Sequence, residues 1–91
     1  MKTQITELMP RDQRKSFYRK AFVIEKGPFR ALKSYETIVC YYDASGKLHR
    51  TWEGWSATTG RHIASFDGPG KAGWDKMPVE PVPRALRAYN I

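Results

Sequence analysis

The chain has 91 residues, 41% of them hydrophobic and 13% aromatic, and carries a formal net charge of +7. That length supports one small core with no room for a second, and no apolar stretch approaches the roughly 20 residues that cross a bilayer as a helix. A single cysteine, Cys40, excludes an internal disulfide, and no charged start leads into an apolar run and a small-residue cleavage site, so the expected location is the cytoplasm.

Residues 1–16 are polar, contain Pro10 and alternate only around Ile5 and Leu8, which predicts a basic arm or an edge strand. Residues 1–34 hold nine basic side chains against Glu7, Asp12 and Glu25, so the positive charge gathers in the amino-terminal third. The run Ala21-Phe22-Val23-Ile24, stopped by Gly27-Pro28, predicts a strand ending in a turn. Tyr35 to Tyr42, with Ile38, Val39, Cys40, Tyr41 and Tyr42 in sequence, predicts a central strand covered on both faces. Asp43-Ala44-Ser45-Gly46 supplies turn chemistry, and Leu48, Arg50 and Trp52 alternate with polar residues after it, which predicts a hairpin.

Ser56 is a natural N-cap for a helix running to Phe66, with Thr59, His62, Ile63 and Phe66 on one stripe. Beyond it, Gly68-Pro69-Gly70, Gly73, Pro78, Pro81 and Pro83 predict an irregular tail, with one helical turn from Arg84 to Tyr89 and with Trp74 and Tyr89 as anchors. The expected fold is α+β: a small antiparallel sheet of three to four strands with one main helix packed on a face. Its expected divisions are a basic arm or edge strand over 1–16, a core over 17–67, and a Gly/Pro-rich tail over 68–91 that packs back on the core.

Two groupings of residues could bind anions. Arg11, Arg14, Lys15, Arg19, Lys20, Arg30, Lys33 and Arg61 are the cations expected to neutralise phosphates. Ser56, Thr58, Thr59 and Arg61 would bring hydroxyls, free amides and a two-pronged donor to the positive end of a helix, although Ser56 as a simple cap explains the same pattern. Phe17, Tyr18, Tyr41, Tyr42, Trp52 and Trp55 interleave with Arg19, Lys20, Lys47, Arg50 and Arg61 in the mix that stacks bases, and Trp55 and Tyr42 are the expected surface members once core packing takes its share. An exposed aromatic beside arginine also suits a protein interface.

Chemistry beyond binding finds no support in the sequence. Cys40 sits inside an apolar strand, no carboxylate pair has acid–base spacing, and His62 on the buried stripe reads as a hydrogen-bonded core residue. Two histidines and one cysteine without close spacing argue against a metal site, and the glycines form no phosphate-cradling loop. No catalytic residue, metal, cofactor or small-molecule substrate is therefore expected.

Three segments carry a resemblance when read together: Phe17-Tyr18-x-Lys20-Ala21, Ser34-Tyr35-x-Thr37-x-Val39 and Ser56-Ala57-Thr58-Thr59-x-Arg61-His62-Ile63. Over about residues 15–67 the chain resembles a family of small uncharacterised proteins of bacteriophages and mobile elements, departing from it at Arg19, where glycine is common, and in the tail. The resemblance implies a phage-type origin, a bacterial host's cytoplasm as the location and a host-directed or DNA-linked task; it brings no activity. The expected function is that of a non-catalytic accessory protein that binds DNA or RNA through its amino-terminal basic region. The alternative is an interaction module that binds and modulates a host protein.

Overall fold

A computed structural model of the chain describes residues 3–8 and 20–89. Five strands, β1 (Thr3–Glu7), β2 (Ala21–Lys26), β3 (Phe29–Ser34), β4 (Thr37–Tyr42) and β5 (Leu48–Arg50), form one antiparallel sheet in the order β1-β2-β3-β4-β5. Two helices follow, α1 (Ala57–Ser65) and the short α2 (Lys71–Asp75), and then a 3-10 helix over Arg84–Tyr89. The fold is α+β, with five strands where three to four were expected.

β3 is the strand that periodicity hides. Ala31 and Leu32 are neighbours pointing to opposite faces, and both are fully buried. A strand covered on both sides loses the apolar–polar alternation that marks a half-buried one. β4 also begins later than expected: Tyr35 and Glu36 form the two-residue turn between the paired Ser34 and Thr37, so Tyr35 lies outside the strand.

The sheet is sandwiched. On one face Ala21, Val23, Leu32, Val39 and Cys40 pack with Ile63 and Phe66 near the end of α1 and with Trp74 of α2. On the other, Ile24, Ala31, Ile38 and Tyr41 pack under Leu86 of the 3-10 helix, flanked by Phe29, Val82 and Tyr89. The proline-bearing tail thus supplies a second covering layer: its prolines limit hydrogen-bonded structure without preventing apolar anchors from docking. The five-residue α2 sits in a stretch whose glycines suggested only loop, and Trp74 gives it a reason to exist, because the ring is fully buried and its Nε1 donates to Gly54 O at 2.9 Å.

α1 is well delimited. Ser56 is extended at φ −139° and its Oγ accepts from Thr59 N at 3.0 Å. At the other end Gly68 N donates to Ile63 O at 2.8 Å and Asp67 N to Ala64 O at 3.1 Å, with Asp67 at φ 66°. That is a Schellman closure in which aspartate takes the left-handed position usually given to glycine. The expected stripe of Thr59, His62, Ile63 and Phe66 is buried, and Gly60 is buried beside it.

A bulge opposite Leu32/Lys33 leaves Val39 as the extra residue of β4. Its carbonyl accepts from Thr51 N at 2.9 Å and Trp52 N at 3.2 Å, which steers the chain leaving β5 toward α1. The same corner is fixed by Arg50, only 6% exposed, whose guanidinium donates to the carbonyls of Trp52, Glu53, Trp74 and Met77. Arg50 also lies 4.9 Å from the centroid of the Trp74 ring. Although it stands among the aromatic-interleaved cations of the sequence, it is a structural cation occupied by backbone.

Candidate nucleic-acid interface

Of the expected phosphate contacts, Arg11, Arg14, Lys15 and Arg19 lie outside the described residues. The four described cations of the first third do not share one surface. Arg30 pairs with Glu25 and Tyr42 on the face covered by α1, with its guanidinium 4.5 Å from the Phe66 ring and its Nε 4.0 Å from a Glu25 oxygen. Lys33 is opposite Phe22 and Ile38 on the reverse face, where Lys26 also stands, 5.5 Å from the Tyr89 ring. Strand alternation separates them, since residues an odd number apart point to opposite faces.

The helix entrance does not gather the four residues grouped from the sequence. Ser56 spends its hydroxyl on the Thr59 amide, and Thr59 is buried with its Oγ1 3.0 Å from Ser34 Oγ. Thr59 therefore leaves the anion-binding set; Thr58 and Arg61 stay exposed. Trp55 and Tyr42 are partly buried and packed against the core. A β-carbon on Gly60 would fall 2.5 Å from Trp55 Cζ2, and Trp55 lies 6.2 Å from Trp74, so Gly60 makes room for an indole ring. Tyr42 Oη donates to Asp67 O at 2.8 Å, and its ring lies 5.5 Å from Phe66.

One corner does combine exposure, charge and an aromatic ring. Tyr35, 47% exposed, takes a left-handed φ of 57° at the first position of its turn. The matching position in the β2–β3 turn is held by Gly27 at φ 59°, the residue type that such backbone favours. A bulky non-glycine residue there costs on the order of 1–3 kcal/mol and is met mostly where function or surrounding contacts hold it. The Tyr35 amide donates to Lys20 O at 2.6 Å, and Lys20 Nζ stands 5.8 Å from the ring centroid. Lys20 is exposed, directly follows Arg19 in sequence and immediately precedes β2. Sequence reasoning missed Tyr35 by placing it inside a strand; the readable signal was the pair Tyr35-Glu36 between two apolar segments.

His62 lies beneath, its ring 5.9 Å from that of Tyr35 and its Nδ1 2.8 Å from Ser34 Oγ. Serine beside imidazole is the pairing that activates a nucleophile, yet here both residues are buried, at 3% and 1% exposure, and the same hydroxyl reaches Thr59. The cluster ties β3 to α1. Burial, with Arg61 adding to it, holds the imidazole below its ordinary value and so favours the neutral form. Burial likewise pushes the Cys40 thiol far up, away from a reactive thiolate.

The second histidine makes an ion-pair clamp. His49 Nε2 is 2.7 Å from Asp43 and Nδ1 2.9 Å from Glu80, with the Tyr41 ring stacked at 4.7 Å. Both ring nitrogens are engaged, which leaves none for proton transfer to a substrate. Hydrogen bonds to Asp43 first, then Glu80, raise the imidazole's pKa; the Ser45 hydroxyl, then His49 and the Lys47 amide, lower that of Asp43. A raised imidazole value contributes stability that is complete below about pH 6.5 and fades as pH climbs through the folded value. His62 has the opposite sign. We therefore expect the wild type to lose stability relative to His49→Gln between pH 5.5 and 8.5, read as urea midpoints; parallel pH profiles for the two proteins would rule out the clamp.

Among the described residues no group of three His, Cys, Asp or Glu side chains could hold a metal ion, and no helix is long and apolar enough to cross a membrane. No curated protein and no solved structure matches the sequence. A family model does match, over residues 6–77, a span that runs from the end of β1 through β2, β3, β4 and β5, with the Tyr35 turn, α1 and α2. The chain belongs to that family, the family of unknown function DUF8033.

Proposed function

We propose that this domain is a non-catalytic accessory protein that binds nucleic acid, through the corner formed by Tyr35 and Lys20 and through the basic residues that precede Lys20 in sequence. The observation that carries the reading is the exposed Tyr35 ring beside Lys20, which in sequence directly follows the stretch holding Arg11, Arg14, Lys15 and Arg19. Net charge of +7 adds long-range attraction for a polyanion. Arg30 and Lys26 stand at the opposite end of the β2–β3 hairpin from this corner and would act only through that general field. A phage-type origin and a DNA-linked task in a bacterial cytoplasm belong to the same reading.

The exposed apolar residues favour this over a protein partner. Among the described residues Ile5, Tyr35 and Val79 are the exposed large hydrophobics; Ile5 stands on one edge strand and Val79 bridges to β5 at the other edge. A protein interface is built on a contiguous apolar centre, and these three residues are spread across the width of the sheet.

Salt titration tests the proposal. If Arg11, Arg14, Lys15, Arg19 and Lys20 each meet one phosphate, a fourfold rise in salt lowers duplex affinity about 500-fold through counterion release. Labelled duplexes should show that slope, and labelled single strands of DNA and RNA a shallower one, about 130-fold over the same rise. No binding even at low salt would defeat the reading and bring forward the alternative, a module that binds and modulates a host protein.

A further inference from the structure

We propose that Tyr35 is a stacking platform for an unpaired base, so that the preferred ligand is single-stranded nucleic acid; this rests on the nucleic-acid reading above and narrows it. The ring projects from the end of a hairpin, on a turn only two residues long, where both flanking residues are locked in the sheet by the Ser34–Thr37 pair. Its backbone holds the left-handed conformation at φ 57°, and its amide is tied to Lys20 O. A platform positioned this way loses little freedom when a base arrives.

The surroundings select stacking over simple charge attraction. Lys20 approaches the ring as a flexible, exposed ammonium, which a base can displace toward the neighbouring phosphate. Glu36, exposed in the same turn, weakens the corner as a pure phosphate sink. A duplex offers its phosphates but keeps the faces of its bases stacked on one another, whereas a single strand offers both base faces and phosphates. The ring thus adds affinity only for the ligand whose bases are free. The buried His62 ring, tilted at 45° to that of Tyr35, supports the platform from within the fold.

The test uses the full chain at low salt with three labelled probes: oligothymidylate and oligouridylate of about 16 nucleotides, the upper range of such sites, and a blunt DNA duplex. Tyr35→Gly removes the ring and suits the left-handed backbone, so the fold persists; Tyr35→Phe keeps the ring. Tyr35→Gly should weaken single-strand binding about five- to 150-fold, leave duplex binding within about twofold, and be matched by no comparable loss in Tyr35→Phe. Unchanged single-strand affinity in Tyr35→Gly would overturn the stacking role while leaving nucleic-acid binding intact. Equal losses for strand and duplex would overturn it as well, pointing to a phosphate contact or a shifted turn. Failure of the wild type to bind any probe would overturn both this inference and the reading it rests on.

Discussion

Arg50→Met lowers the free energy of unfolding by about 3–5 kcal/mol and the thermal midpoint by more than about 12 °C. The methionine matches the aliphatic stem, so the loss isolates the guanidinium. That group is buried and satisfies the carbonyls of Trp52, Glu53, Trp74 and Met77, drawn from the segment leaving β5 and from the region of α2. Without it, several carbonyl oxygens are left with reduced partners in a place that water reaches poorly, at about 1–3 kcal/mol for each one stranded. Arg50→Lys should recover part of the loss only, because one ammonium lacks the planar fork that addresses carbonyls on several sides. Lys76→Ala, at an exposed position, serves as the comparison and should stay within about 0.5 kcal/mol of the wild type. Denaturant midpoints for the three variants decide the matter; a loss below about 1 kcal/mol in Arg50→Met would show that the four carbonyls find other donors.

The residues that proved hardest to read are those whose roles depend on distant neighbours. The β4–β5 hairpin and α1 with its Ser56 cap follow from local rules, since turn chemistry, capping and apolar stripes operate within a few residues. Arg50 looks like a surface cation on an alternating strand until α2, more than 20 residues later, brings carbonyls to it. β3 is masked because the tail covers a face that the sequence of β3 alone leaves open to interpretation. Tyr35 is legible as an aromatic but not as a turn residue, because the turn exists only once β3 is recognised. The basic residues of the first third illustrate the converse: concentration along the chain does not become concentration in space when strands alternate, and Arg30 and Lys33 end on opposite faces.

Trp74→Ala should cost about 3–5 kcal/mol, the range for removing a fully buried large aromatic. The ring is the centre of the layer over the α1 face: it packs in the same cluster as Leu32, Cys40 and Phe66, lies beside Trp55, and hydrogen-bonds to Gly54 O. It also roofs the Arg50 guanidinium at 4.9 Å. That last contact makes the two sites interdependent. Removing the indole admits water to the carbonyls that Arg50 serves, so that the arginine has less left to contribute. The summed loss of the two severe variants is comparable with the total stability of a chain this size, about 5–14 kcal/mol, so the cycle is built from the milder Trp74→Phe and Arg50→Lys. Their combined loss should fall short of the sum of the single losses by at least about 0.5 kcal/mol. Leu86→Ala, fully buried on the opposite face of the sheet, should instead add to Arg50→Lys within about 0.3–0.5 kcal/mol. If the Trp74 and Arg50 losses add as simply as that, the corner leading into α1 is two separate anchors, and the indole does not shield the buried cation.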